Sequence, residues 1–246
     1  MTKNHKEVAI VKELLRFPVK SMAGERVEEV KLGWHGFAGD RRYAFVKRGD
    51  KTGLPWLSAR DYPQLILYRP HFLSPERIDS SEIEVCTPAG SYFDLKSEEL
   101  RMEIELIYGN KIELMQLWRG TYDSMALSLI SLQAIDTISQ QIGSELEIER
   151  FRPNIVVESL DGKPFPEDRW VGELLNFGDR SDSASVRADR KDLRCSIVNL
   201  DPGTAKSNSN ILDLIVRSRK NLLGLYGSTQ RPGTIKVGDI ISMLKS

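Results

Sequence analysis

Phe151-Arg152-Pro153-Asn154-Ile155-Val156-Val157 joins a charged, proline-fixed entry to a short β-branched run. Proline locks its own φ and pushes Arg152 toward an extended backbone. The apolar run that follows has the composition of a buried strand. Arg152 offers a rigid fork of donors for an oxyanion. Asn154 can both donate and accept, which suits the edge of a heterocycle. Taken alone, the segment reads as a strand entry with a surface salt bridge, and a ligand contact is the alternative.

Working outward, both sides are strand-rich. Before it, Val8–Leu15, Val27–Leu32, Tyr43–Val46, Leu65–Tyr68, Ile83–Cys86 and Ile112–Leu117 are strand candidates separated by glycine turns. After it come Leu174–Phe177, Ser185–Ala188 and Ser196–Leu200. Asp179–Lys191 is polar and reads as a loop near a pocket. Ser128–Ile142 carries Leu129, Leu132, Ile135, Ile138 and Ile142 at helical spacing, with Gly143 as a C-terminal cap. Asn210–Lys220 is a second helix, and Gly233–Leu244 is a turn and a strand. The fold class expected is therefore mainly β with some helix. The charged run Lys96–Arg101 marks a loose boundary, with domains expected over 1–100 and 101–246.

Composition excludes several functions. Among the 246 residues, 40% are hydrophobic and 28% charged, as in ordinary globular chains. Lys plus Arg total 35 and Asp plus Glu total 35, a balance that argues against general nucleic-acid binding. There are two cysteines, Cys86 and Cys195, so neither a disulfide framework nor an iron–sulfur cluster is expected. His5, His35 and His71 show no ligand spacing, and Trp34, Trp56, Trp118 and Trp170 read as core or rim residues. No signal-like apolar start and no membrane-length apolar run appears, so a cytoplasmic protein without membrane contact is expected. Glycine-rich nucleotide loops and the Gly-x-Ser-x-Gly elbow are missing, and pyridoxal phosphate binding is not expected.

Five groups carry chemistry. Cys195 follows Arg194, with Arg190 and Lys191 close in sequence, and nearby cations favour the thiolate that binds soft metals. Taken alone it reads more readily as a small buried hydrophobe at a strand start. Lys20 and Ser21 end the first strand; taken alone Lys20 reads more readily as a solvated lysine at a turn, and a phosphate contact aided by the Ser21 hydroxyl is the alternative. Arg41, in Gly39-Asp40-Arg41-Arg42, either faces an anion or is paired by Asp40. Asp123 and Ser124 precede the first helix and read equally as helix capping or as an anion contact. Arg152 and Asn154 complete the set.

Order and spacing bring these pieces together. Phe17-Pro18-Val19-Lys20-Ser21, Gly39-Asp40-Arg41-Arg42, Leu57-Ser58-Ala59-Arg60 and Tyr62-Pro63 resemble the N-terminal β-barrel domain that accompanies MOSC domains. Phe151–Val157, Glu167-Asp168-Arg169-Trp170, Gly178-Asp179, Arg194-Cys195 with Asp201-Pro202, and Arg231–Asp239 resemble the MOSC domain itself. The resemblance covers about residues 8–244. It implies an N-terminal β-barrel-like domain packed on a MOSC β-barrel, with a molybdenum–pterin cofactor between them. Cys195 would be the metal ligand and catalytic residue. Lys20, Ser21, Arg41, Asp123, Ser124, Arg152 and Asn154 would hold the cofactor.

The family includes amidoxime reducing components and the C-terminal part of molybdenum cofactor sulfurases. The activity implied is therefore an oxidoreductase acting on a small N-hydroxylated or N-oxygenated substrate, with electrons from a separate donor protein. A persulfide carrier using Cys195 and a non-enzymatic cofactor-binding module are the alternatives. Two positions depart from the family pattern. Leu193 stands where serine, proline or cysteine is frequent, and Met22 stands where some relatives have cysteine.

Overall fold

The computed structural model describes residues 5–118 and 121–244. The polar start at Met1–Asn4 lies outside the described residues. In chain order the elements are β1 (His5–Arg16), β2 (Glu25–Val27), β3 (Glu29–Gly33), β4 (Gly36–Phe37), β5 (Tyr43–Lys47), β6 (Arg69–Phe72), β7 (Ile83–Cys86) and β8 (Tyr92–Asp94). Then follow α1 (Glu98–Tyr108), β9 (Ile112–Gln116), β10 (Leu127–Ser131), α2 (Leu132–Ile142), β11 (Ile155–Ser159) and β12 (Leu174–Phe177). The chain continues through β13 (Ser185–Leu193), α3 (Ser209–Arg219), β14 (Leu222–Arg231), β15 (Gly233–Lys236) and β16 (Ile240–Leu244).

Seven strands close a barrel in the order β11-β10-β14-β13-β12-β16-β1, with β1 pairing back onto β11. The fold is mainly β, as the many short strand candidates predict, with three α-helices among the described residues, of which α1 was not expected. Six barrel strands come from the C-terminal half and the seventh, β1, from the start of the chain. The buried residues of β1 face two apolar environments. Val11 and Leu14 point into the barrel with Val157, Phe177 and Ile241. Leu15 points outward beneath a layer formed by α2 and α3, among Ile135, Ile138, Ile211 and Ile215. Each fully buried side chain of this size contributes about 1.5–3 kcal/mol.

The remaining N-terminal strands surround a second core. The pair β5-β9 and the small sheet β6-β7-β8 enclose Phe45, Leu57, Leu65, Tyr68 and Val85. The segment leaving β1 joins the two cores, because Phe17 packs beneath the helices while Val19 and Met22 enter the second core.

Several elements differ from the sequence reading. The helix predicted over Ser128–Ile142 begins only at Leu132, since Leu127–Ser131 is the barrel strand β10. Its N-cap is Ser131, whose Oγ accepts from Ala134 N at 3.1 Å, and not Ser124. Leu65–Tyr68 is no strand. Pro63 opens a 3-10 turn over Pro63–Leu67 that buries Leu65 and Ile66. Ser196–Asn199 is likewise a 3-10 turn. Polar Ser185–Leu193 is a barrel strand, its charged residues Arg187 and Arg190 on the exposed face. The charged run at Lys96–Arg101 opens helix α1, capped by Ser97 and ended by Gly109 in the left-handed region. Trp170 is buried, but Trp34 and Trp118 are exposed.

Ser131 has a second task. Its Oγ donates to Glu167 Oε2 at 2.5 Å, and Glu167 is wholly buried. Burial pushes that carboxyl up, opposed by the Ser131 hydroxyl. Ser131→Ala removes a helix cap and strips Glu167 of its partner. A loss of about 1–3 kcal/mol is expected in urea unfolding, and an unchanged midpoint would show that neither contact matters.

Candidate anion-binding site at Cys195

Three backbone outliers converge where the two cores meet. Ser21 (φ 64°), Arg41 (φ 46°) and Arg152 (φ 48°) all occupy the left-handed region. Residues without glycine's freedom pay about 1–2 kcal/mol to stay there, and such strain gathers at functional sites. Arg152 departs from the extended backbone predicted for a residue before proline. Its conformation is fixed from several sides: its carbonyl accepts from Arg41 Nη2 (2.9 Å) and Ser128 Oγ (3.3 Å), and its Nη1 donates to Met22 O (2.7 Å).

These residues line one cavity of about 220 Å³, together with Lys20, Asp123, Ser124 and Cys195. Of the residues that the sequence singles out, only Asn154 is absent from the lining. It is buried behind the cavity, where its Oδ1 accepts from Arg41 Nη1 (3.2 Å) and Ser128 N (3.1 Å). Its Nδ2 donates to Leu15 O at 3.3 Å. Asn154 thus ties Arg41 to the barrel strands β1 and β10.

Arg41 is fully committed. Its Nη1 donates to Asp40 Oδ2 at 2.6 Å and its Nε faces Asp123 Oδ2 at 2.8 Å. Burial lowers its pKa, but the charges of Asp40 and Asp123 outweigh burial and raise it. Arg41 and Arg152 both lie over the Phe17 ring, at 4.6 and 4.3 Å from its centroid. Gly24 leaves room for that ring, since a Cβ there would come within 2.5 Å of it.

Lys20 and Arg152 are different. Among the described residues neither pairs with a carboxylate. Lys20 Nζ donates only to the Tyr122 carbonyl at 2.7 Å, and Arg152 Nη2 is buried with no partner. Burial first, and then the neighbouring Arg41, push the Arg152 guanidinium down to about 9. Burial likewise lowers Lys20, against the pull of Asp123. Lys20 and Arg152, both half-buried, thus stand on the cavity with no carboxylate paired directly to them among the described residues, a feature that marks a candidate anion site.

Cys195 lies at the end of β13 on this cavity and is exposed, which overturns its reading as a buried hydrophobe. The cations beside it in sequence are engaged elsewhere. Arg194 Nε and Nη1 donate to Leu223 O and Phe151 O, both at 2.7 Å, and Asp192 balances its charge at 2.9 Å. Lys191 pairs with Asp168, and Arg190 lies over the Tyr226 ring. Arg152, distant in sequence, is the guanidinium on which Cys195 acts electrostatically.

Sequence reasoning missed Ser58, Arg60, Ser128, Arg150, Asp192 and Tyr226 as cavity residues. Arg60 carried a signal, the Leu57-Ser58-Ala59-Arg60 motif. Asp192 and Tyr226 carried none, being ordinary strand residues whose placement depends on barrel closure.

Residues 117–242 match the MOSC domain family and residues 8–123 match the MOSC N-terminal beta barrel domain. The chain belongs to the MOSC family. Mitochondrial amidoxime reducing component 2 of Macaca fascicularis is 27% identical over 130 residues, 48% of this chain and 36% of the relative. Mitochondrial amidoxime-reducing component 1 of Homo sapiens is 27% identical over 135 residues, 50% of this chain and 38% of the relative. These MOSC matches span little more than a third of the relatives' length. The YUAD protein from Bacillus subtilis, a solved structure, is 14% identical, with 98% of this chain and 97% of that one covered and a TM-score of 0.48.

Among the described residues no cluster of three or more His, Cys, Asp or Glu side chains is placed to hold a metal. A metal at Cys195 would therefore need its other ligands from a bound group. No described helix is long and apolar enough to cross a membrane.

Proposed function

We propose that this MOSC protein binds a phosphorylated molybdenum–pterin cofactor in the Cys195 cavity and reduces small N-hydroxylated compounds with electrons from a separate donor protein. The pair of half-buried cations Lys20 and Arg152, without a direct carboxylate partner among the described residues, on the same cavity as an exposed thiol carries this reading. The residues present fit the group. Lys20 and Arg152 supply charge-assisted donors for a phosphate, Ser21 and Ser124 add hydroxyls, and the Asp123 carboxylate can accept from ring N–H groups. Arg41, fixed by Asp40 and Asn154, keeps the walls in register. Cys195 supplies the thiolate ligand. The cavity is smaller than a typical whole-ligand pocket, so a ligand seated on the cations extends outward past Cys195. When bound, the cofactor would supply the two-electron chemistry that removes oxygen from the substrate.

Leu193 is 64% exposed beside Cys195 and offers no hydroxyl. The same exposure of Cys195 suits the second reading, a persulfide carrier.

Molybdenum per chain, measured by plasma mass spectrometry after expression in a host that makes the cofactor, tests the proposal. Near-stoichiometric metal in the parent and a fall in Cys195→Ala is the expected result. Metal-free protein from a host whose other molybdoenzymes are loaded would overturn it, and a one-sulfur mass adduct on Cys195 would then favour sulfur carriage.

A further inference from the structure

Arg152 has two sides. It lines the Cys195 cavity and also a larger neighbouring cleft of about 620 Å³, with Arg150 and Ile197 shared between them. This cleft runs between the barrel side and the small sheet β6-β7-β8. Its volume lies within the range of small-molecule sites. The site described above makes no use of it.

Charge accounting defines what the cleft accepts. Its three carboxylates are already paired: Glu25 with Arg16 (2.7 Å), Glu149 with Arg26 (2.6 Å) and Glu147 with Arg150 (2.5 Å). Arg69 and Arg152 line the cleft with no carboxylate partner among the described residues, and Arg152 retains its buried, unpartnered Nη2. Between these cations lies a narrow apolar lining from Ile66, Pro70, Ile197 and Leu200. The outward side chains of the small sheet close one wall, where Cys86 stands opposite Arg69 on β6 and opposite Tyr92 on β8.

We infer that this cleft is a second ligand site, for a small organic anion with a planar apolar body, an aromatic carboxylate being the simplest member. The apolar surface takes the ring, and Arg69 and Arg152 take the carboxylate at the cleft's ends or jointly. The inference does not depend on a metal or on the chemistry proposed at Cys195.

The chain's two cysteines provide the test, because one lines each cavity. The purified full chain, without metal, is titrated with 2-naphthoate by calorimetry while iodoacetamide alkylation of each cysteine is followed by peptide mass. Saturable binding that slows alkylation of half-buried Cys86 and leaves Cys195 unchanged is expected. Arg69→Gln should weaken binding about tenfold, the fold-change of one charge-assisted hydrogen bond. Arg69 and Tyr92 are both exposed, so Arg69→Gln and a second variant, Tyr92→Ala, leave the core intact. Absence of binding, protection of Cys195 instead of Cys86, or parent affinity in both variants would overturn the inference. Loss of molybdenum binding would not.

Discussion

Asp40→Ala is expected to unfold with about 3–5 kcal/mol less stability than the parent, a larger loss than any surface charge would give. Asp40 is 3% exposed and holds two elements at once. Its Oδ1 accepts from the Phe17 backbone N–H at 2.7 Å, and its Oδ2 accepts from Arg41 Nη1 at 2.6 Å. Alanine leaves a buried N–H without a partner. It also leaves Arg41 with Asp123 as its remaining carboxylate. The ring beneath both guanidiniums and one of those guanidiniums lose their tether together. Asp40→Asn keeps an oxygen for the Phe17 N–H and should recover part of the loss. Urea unfolding of the three proteins decides the matter. A cost below about 1 kcal/mol for Asp40→Ala would reduce the pair to the value of an exposed salt bridge.

Lys20→Met is expected to act in the opposite direction on stability and to damage binding. Without ligand the variant gains about 1 kcal/mol, because an apolar chain of similar length relieves the desolvation of a half-buried ammonium, which outweighs the pull of Asp123. The pH dependence carries a definite sign. Burial lowers the Lys20 pKa below its ordinary 10.5. Between the lowered value and 10.5 the unfolded chain binds more protons than the native one, so stability rises with pH across that window. Arg152, depressed to about 9, contributes with the same sign. Lys20→Met should flatten the rise, and saturating inorganic pyrophosphate should flatten it in the parent by supplying the missing anion. Pyrophosphate affinity should fall about tenfold in Lys20→Met. A variant that is less stable than the parent and binds pyrophosphate unchanged would remove Lys20 from the site.

Many of the strands were legible because their signals are local, whereas the cavity residues came together only through the resemblance to the MOSC family. Ile155-Val156-Val157, Leu174–Phe177 and Ile83–Cys86 read as strands from composition. Gly143 ended a helix where the spacing of Ile135, Ile138 and Ile142 required one. What was not legible depends on partners far away in sequence. Ser128 and Leu129 fit helical spacing, yet barrel closure claims them as strand. Arg194 looks like the cation that serves Cys195, but Phe151 O, Leu223 O and Asp192 hold it, and none of these could be placed from sequence. Asn154 was read as a ligand contact. Its location behind Arg41 follows only from the pairing of β1 with β11.

The closure of the barrel by β1 also governs when the molecule can come into being. Val11 pairs with Val157 and His5 with Leu244. β1 pairs locally with β2, but its two barrel neighbours, β11 and β16, lie far along the chain. Contacts so distant in sequence make for slow folding. Until β11 and β16 are both in place, most of β1 has open edges, the kind of segment that invites wrong pairing. Its charged start at His5, Lys6 and Glu7, all exposed, is the local protection that the sequence provides during that interval.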